Sequence, residues 1–415
     1  MFRHSTRATA LRATMAAGVA LSAAPAMATT GYFSNGTSVQ SKGMAGAGVS
    51  IGTGLMGAAA NPAMALKYSN QADACLSAFM PSRSTTITGM GTFKSDKEFF
   101  PVPCGGVNFQ LKNGATLGVL MYGNGGMNTE YPVNFFGGGV VPGPLGVNLE
   151  QLFVQVNYAT EISEGVSVGF APIFAAQRFS ATGLSGFAPF SMNPAALSDN
   201  GDDWSTGFGA QIGAVIEASP NLSFGISYRS KIKMDPFSKY SGLFANGGDF
   251  DIPASASLGV TFMPPSNRSL KITAEWQRIF YSGVPAIANG FPTAAPLGAV
   301  GGPGFGWDDM DVFRIGAEFE ASPKWTVRGG ISYNTEFTDS SQATLNALAP
   351  ATPQWHIALG GTMHINDRRE LHVSYVHAFD NSLSGTLPSP PFPGAAPISE
   401  QMSQHEVSVG MTWKW

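Results

Sequence analysis

The chain has 415 residues, 44% of them hydrophobic and only 12% charged, about half the charged share of an ordinary globular protein. A water-soluble surface of that size carries more charge, so part of this surface is expected to face lipid. Residues 1–28 read as a secretory signal: Arg3, Arg7 and Arg12 make a basic start, Ala13 to Ala24 a short apolar core, and Pro25-Ala26-Met27-Ala28 a small-x-small cleavage pattern. The core is too short for a membrane helix, which needs about 20 apolar residues. Cleavage would begin the mature chain at Thr29. The 23 basic residues less the three leader arginines then leave 20 against 27 acids, a charge of −7. That balance argues against a nucleic-acid partner, which favours a basic face. No later stretch approaches 18 uninterrupted apolar residues. An exported chain without a helical span crosses a membrane only as a closed β-barrel, in which strands satisfy one another's backbone groups.

Residues 29–72 do not alternate. They are rich in small residues, as in Lys42-Gly43-Met44-Ala45-Gly46-Ala47-Gly48 and Ala58-Ala59-Ala60-Asn61-Pro62-Ala63. The segment cannot form a core alone. It reads either as a disordered leader or, the preferred reading, as a plug folded inside a crowded lumen, with the barrel occupying residues 73–415.

From residue 73 onward one unit repeats: about ten residues alternating apolar and polar, then a break. Fourteen such runs fall at 73–88, 99–111, 115–123, 149–159, 166–179, 203–216, 222–231, 251–264, 269–280, 309–319, 325–335, 354–365, 369–379 and 403–415. An even number of short tilted strands is what an all-β, antiparallel transmembrane barrel requires. The breaks alternate between short ones, such as Lys112-Asn113-Gly114, and long ones at 124–148, 180–202, 232–250, 281–308, 336–353 and 380–402. Short periplasmic turns and long extracellular loops are sorted in this way in outer-membrane barrels. Aromatic residues at strand ends (Trp325, Trp355, Trp413, Trp415, Tyr333, Tyr228) fit two interfacial girdles.

Parity across the short turns puts polar faces together: residue 318 is expected to pair near 326 and 316 near 328, Thr261 to meet Lys271, and Ser257 to meet Glu275. Lys271, Glu275, Arg314, Glu318 and Arg328 then face the lumen as ion pairs that anchor the plug or hold the barrel's shape, with Glu318 diagonal to Arg328. The chain ends on a strand closing at Trp415, the kind of end that barrel-assembly machinery reads. Export permits a disulfide between Cys75 and Cys104. A turn near 89–98 would set the two out of register, which favours two inert thiols over a bridge.

The sequence holds no convincing catalytic constellation, and no cofactor or metal is expected. His364 and His372 share the lumen face near a short turn, and Ser374 follows His372 at the next lumen position, but polar lining is the favoured reading of all three. The loops carry more information. Phe187, Phe190, Met192 and Leu197 in one, and Phe237, Tyr240, Leu243 and Phe244 in another, either form a greasy groove on the outside, a liability for a general porin, or only pack the loops on each other. Arg229, Lys231 and Lys239 flank this region and read either as partners for a carboxylate or as charges facing water or lipopolysaccharide.

Several segments, in order and spacing, resemble the FadL-type (OmpP1/FadL/TodX) family of outer-membrane long-chain fatty acid and hydrocarbon transporters. They are Ser41-Lys42-Gly43-Met44-Ala45-Gly46-Ala47, Asn61-Pro62-Ala63, Tyr122-Gly123-Asn124-Gly125-Gly126-Met127-Asn128-Thr129-Glu130-Tyr131, Ile252-Pro253-Ala254-Ser255, Glu275-Trp276, and Trp307-Asp308-Asp309 with Phe313-Arg314-Ile315-Gly316. The resemblance implies a fourteen-stranded barrel with an N-terminal hatch in its lumen, loops that capture substrate, and a side opening at the third strand. An inward kink with unpaired backbone is expected there, around Tyr122, Gly123, Gly125 and Gly126, unless these glycines merely begin the long loop at 124–148; Pro172 is a second candidate. The expected function is passive, hatch-gated uptake of hydrophobic small molecules through the outer membrane by a monomer embedded in lipid and lipopolysaccharide. The rivals are a general diffusion porin, an outer-membrane lipid-modifying enzyme such as a lipase, and an adhesin.

Overall fold

The computed structural model describes residues 30–68, 70–136, 140–388 and 396–415. The signal segment 1–28 and Pro390, Pro391 and Pro393 of the late loop lie outside the described residues.

Fourteen long strands follow one another around a closed antiparallel barrel. They are β1 (Gln71–Ile87), β2 (Phe100–Gln110), β3 (Thr116–Asn134), β4 (Val141–Ser163), β5 (Val166–Thr182), β6 (Asp203–Ser219), β7 (Leu222–Arg229), β8 (Ser255–Phe262), β9 (Leu270–Ile279), β10 (Met310–Ser322), β11 (Trp325–Asn334), β12 (Trp355–Asn366), β13 (Arg369–Thr386) and β14 (Pro397–Lys414). Closure comes from β14 pairing with β1, from Gln71↔Lys414 to Ile87↔Ile398. The ring of strands is thereby closed.

Alternation decides which face goes where. On β10, Val312, Arg314, Gly316 and Glu318 point inward, and Phe313, Ile315 and Phe319 point out. Ile212, Ile226, Ile331, Leu359 and Val409 extend the apolar exterior around the wall. Tyr333 packs on Trp355 (ring centroids 4.8 Å) at the long-loop end, and Phe109 on Trp415 (5.9 Å) at the short-turn end. These are the two aromatic belts that an apolar band needs at its interfaces.

The strands differ from the sequence expectation in instructive ways. Residues 124–134 and 141–148 are strand rather than loop. β3 and β4 run 19 and 23 residues and form a tall hairpin that rises above the rest of the wall. Likewise β13 and β14 occupy much of 380–402. The pairing register is also offset by two. Glu318 lies opposite Arg328 rather than residue 326, and Gly316 opposite Gly330, because the turn tightens to Ser322↔Trp325 with a bulge after Glu320. Across the preceding short turn, Thr261 meets Thr273 and Ser257 meets Gln277. A shift of two keeps every side chain on its face, so the polar lumen survives the error.

Cys75 and Cys104 are joined in a disulfide, against the expectation of free thiols. They are direct partners in the β1–β2 ladder, with Cα atoms 4.9 Å apart. The chain folds back early: Gly91–Lys94 returns along Ser84 to Ile87. This moves the turn toward β1 and brings the cysteines into register.

Residues 30–68 pack inside the barrel, and most of them are buried. Val39–Lys42 is a single helical turn closed by a reciprocal Ser38–Ser41 capping box. Asn61 caps the turn Pro62–Lys67 through its Oδ1, which accepts from the Ala63 N–H, while its Nδ2 donates to the carbonyls of Val49 (2.8 Å) and Ala214 of β6 (3.0 Å). One amide thus ties the segment to itself and to the wall. The wall is glycine where Asn61 reaches it: a methyl group on Gly213 would overlap the Asn61 side chain.

Candidate functional site

Buried ion pairs hold this inner segment. The Glu275 carboxylate on β9 accepts from the backbone N–H groups of Gly48 (2.8 Å) and Val49 (2.9 Å). Its other oxygen takes Arg314 from β10 (2.9 Å). Arg314 also donates to Gln277 (2.8 Å) and to Asn35 of the inner segment (3.4 Å). Lys42 pairs with Glu406 and donates to Ser77 (2.8 Å). Nearer the short turns, Glu318 sits between Lys271 (2.8 Å) and Arg328 (2.6 Å). The five charges singled out from sequence therefore form two groups, one gripping the inner segment and one lining the lumen below it.

The lumen below is polar. A cavity of about 650 Å³ opens at the short-turn end, lined by Lys271, Glu318, Arg328, His364, Glu370 and Lys414 among others. His364 and His372 both belong to it. His364 bonds Glu370 (3.1 Å) and His372 bonds Thr362 (2.8 Å). The Ser374 hydroxyl makes no hydrogen bond to either ring. Charged and polar groups dominate the cavity's lining, beside a few apolar side chains such as Leu222 and Met263.

The lumen above is apolar. Phe179, Phe237, Tyr240, Phe244 and Phe250 form a run of rings with neighbouring centroids 4.7–5.5 Å apart. Phe250 leads down to Tyr32 (6.3 Å), and Tyr32 meets Tyr281 (5.7 Å) and Trp307 (6.1 Å). Trp307 is fixed by Asn346, which accepts from its indole N–H (2.5 Å). The apolar column therefore runs from the outer loops to the inner segment, within one buried cluster. At its foot Tyr32, Met127, Trp307 and Met402 line a cavity of about 20 Å³. Benzene is admitted by a cavity of about 150 Å³, so this pocket is too small for a substrate as it stands. Parity alone could not identify these residues, since Trp307 and Tyr281 come from a loop and Tyr32 from the inner segment.

The eight loop residues expected to form an open groove are placed differently. Phe187, Leu197, Phe237, Tyr240 and Phe244 are buried and Leu243 is half-buried, while only Phe190 (39%) and Met192 (66%) are exposed. The two loops do meet: Ser191 donates to the Gly242 carbonyl (2.7 Å) and Asn193 to Ser241 (3.1 Å). A third loop then closes over both, through Leu297 N–H to Phe190 (2.8 Å) and Asn246 N–H to Ala299 (3.0 Å). Apolar side chains in adjoining loops have collapsed on one another instead of lining an open trough. The flanking cations are engaged within the chain: Lys231 with Asp251 (3.3 Å) and Lys239 with the Asp202 carbonyl (2.7 Å). Arg229 is buried in the lumen.

The wall is interrupted beside this column. β2 and β3 pair only from Gln110↔Thr116 to Cys104↔Tyr122. Beyond that point β2 continues to Phe100 with β1 as neighbour, and β3 continues to Asn134 with β4. Pro101 and Pro103 lie in this stretch of β2 and have no N–H to give. On β3, Asn124 is an extra, bulged residue between Gly123↔Leu152 and Gly125↔Gln151. Against the expectation of unpaired backbone groups at the bulge, these groups are paired. Ser34 N–H donates to the Asn124 carbonyl (2.9 Å) and Gly126 N–H to the Tyr32 carbonyl (3.0 Å), so the inner segment takes the place of β2. Glycine is needed at 125, where a Cβ would collide with the Tyr32 carbonyl. At Pro172 the β4–β5 ladder lapses and resumes in the same register.

The profile of the outer membrane protein transport protein family (OMPP1/FadL/TodX) matches residues 19–386. Among solved structures, the toluene transporter TodX of P. putida is 15% identical and superposes with a TM-score of 0.70, over 92% of this chain and 99% of its own. The toluene transporter TbuX of Ralstonia pickettii gives 18% and 0.66, over 92% and 99%. A FadL homologue of Pseudomonas aeruginosa gives 15% and 0.69, also over 92% and 99%. At these identities the likeness is one of fold. No relative was found among curated proteins. With a fourteen-stranded barrel, a filled lumen and a profile match across most of its length, the chain belongs to the OMPP1/FadL/TodX family of outer membrane transport proteins.

Proposed function

We propose that this protein carries hydrophobic small molecules, long-chain fatty acids or related hydrocarbons, passively through the outer membrane. In this reading the inner segment is a hatch, and the exit is sideways between β2 and β3. The observation that carries it is the division of the lumen: an apolar column from the loops to Tyr32, then a polar, charged cavity below. A hydrophobic molecule gains about 25 cal/mol per Å² of apolar surface kept from water. It has no reason to continue into the charged cavity, whereas the break beside Tyr122 leads toward lipid. Toluene transport by the TodX and TbuX proteins agrees in kind with such a substrate. A general porin fits less well, because the inner segment fills the lumen.

The test is uptake of labelled long-chain fatty acid, alkane and toluene by cells lacking the protein and by the same cells complemented with it. Complementation should restore uptake of at least one hydrophobic compound and leave a small sugar unaffected. Equal gains for sugar and hydrocarbon would favour a porin.

A further inference from the structure

Arg229, the last residue of β7, is buried in the lumen at 8% exposure, and among the described residues no carboxylate pairs with it. Its Nη1 donates to the side-chain oxygen of Asn124 (2.7 Å), the bulged residue of β3. Its guanidinium lies over the ring of Phe33 in the inner segment (4.7 Å) and over Phe153 of β4 (5.2 Å). Nε and Nη2 have no hydrogen-bond partner. A buried cation normally has a counter-ion or several hydrogen bonds, because desolvation is costly. This one has two aromatic faces, one amide and the nearby Tyr122 hydroxyl of β3. It reaches across the barrel, since β7 lies three strands beyond β4.

The three contacts share one feature. Phe33 sits in the strip whose backbone caps the bulge, Asn124 is the bulge, and Phe153 backs it from the neighbouring strand. We propose that Arg229 is the latch of the side opening, a positioning residue that holds the Phe33 strip and the Asn124 bulge together in the closed state. The proposal rests on the lateral-exit reading above. Moving Phe33 off the guanidinium breaks the stacking and withdraws the strip from the edge of β3 in one motion. The contact is strong enough to hold and weak enough to release, as cation–π contacts are. Removing the charge leaves no unpaired partner ion behind, so the latch is separable from stability.

The experiment uses the full-length protein in planar bilayers and in liposomes that report uptake of a fluorescent fatty acid. Arg229→Met, Phe33→Leu and the double variant are compared with wild type and with Arg229→Lys. Heat-modifiable gel mobility checks that each barrel is folded. Each single variant should raise open probability about tenfold, equivalent to about 1.4 kcal/mol. The double variant should add little to either single one, since both remove the same contact. Arg229→Lys, which keeps the cation, should fall between. Folded variants that open no more often than wild type overturn the latch, as do effects that multiply in the double variant. If wild-type liposomes take up no fatty acid while the open-probability pattern holds, the latch stands and the substrate reading falls. If wild type takes it up and the variants open no differently, the latch falls and the transport reading stands.

Discussion

Replacing Glu275 by Ala probes the grip on the inner segment where it is most concentrated. The carboxylate serves three donors at once: Gly48 N–H, Val49 N–H and Arg314 Nη1. All of these groups lie in the buried lumen. Removing one partner of a buried pair costs about 3–5 kcal/mol, because the remaining charge is stranded. Arg314 keeps Gln277, which softens the loss, while the two backbone donors add about 1–3 kcal/mol each where water cannot reach them. The barrel ladder does not pass through these bonds, so the loss falls on the seating of the inner segment rather than on the wall. A shift of even 3 kcal/mol changes the seated-to-released ratio more than a hundredfold. The assay is limited proteolysis of residues 30–68 together with conductance in planar bilayers. Glu275→Ala should expose the segment and conduct, and Glu275→Gln, which keeps an acceptor, should do so less. If Glu275→Ala stays protected and closed like wild type, these bonds do not hold the segment, and the reasoning fails.

Other perturbations separate wall, staple and packing. Leu359→Lys places a charge on the lipid face and should cost about 2–4 kcal/mol near the bilayer midplane, measurable by urea titration of folding into liposomes; an unchanged midpoint would mean this face is not in lipid. Replacing Cys75 and Cys104 by Ser opens a bridge spanning 29 residues and should cost about 3–4 kcal/mol, read from the same titration with reductant as a control. Gly213→Val should drive Asn61 from its site and release the inner segment while the barrel still assembles, seen as new proteolysis within residues 30–68.

The barrel was legible because alternation, turn length and end-of-strand aromatics all report the same thing. β10 alone shows it, with Arg314 and Glu318 in and Phe313 and Ile315 out. Registers were less legible. Parity is blind to a shift of two, which is how Glu318 was set against residue 326 instead of Arg328. The β3–β4 hairpin was hidden by its glycines: Gly123, Gly125 and Gly126 read as the start of a loop, yet they are strand residues, and Gly125 is kept small by the Tyr32 carbonyl. Pro101 and Pro103 carried a signal that went unread, since two donor-less residues in one strand mark a place where a ladder can stop. The inner pocket was out of reach, because Tyr32, Trp307 and Met402 converge from regions of the chain far apart in sequence. The role of Arg229 was hidden too. Next to Lys231 it looked like a surface cation, and only the fold turns it inward.

Under the proposed function, substrate leaves through the wall beside the bulge. Deleting Asn124 alone would restore one continuous register between Gly123↔Leu152 and Gly125↔Gln151 and straighten β3. The measurement is uptake of fluorescent fatty acid by liposomes carrying wild type or the deletion variant, each shown to be folded by heat-modifiable mobility. Sideways exit predicts that the folded deletion variant transports little or nothing. Uptake at the wild-type rate would contradict it and send the path down through the charged cavity instead.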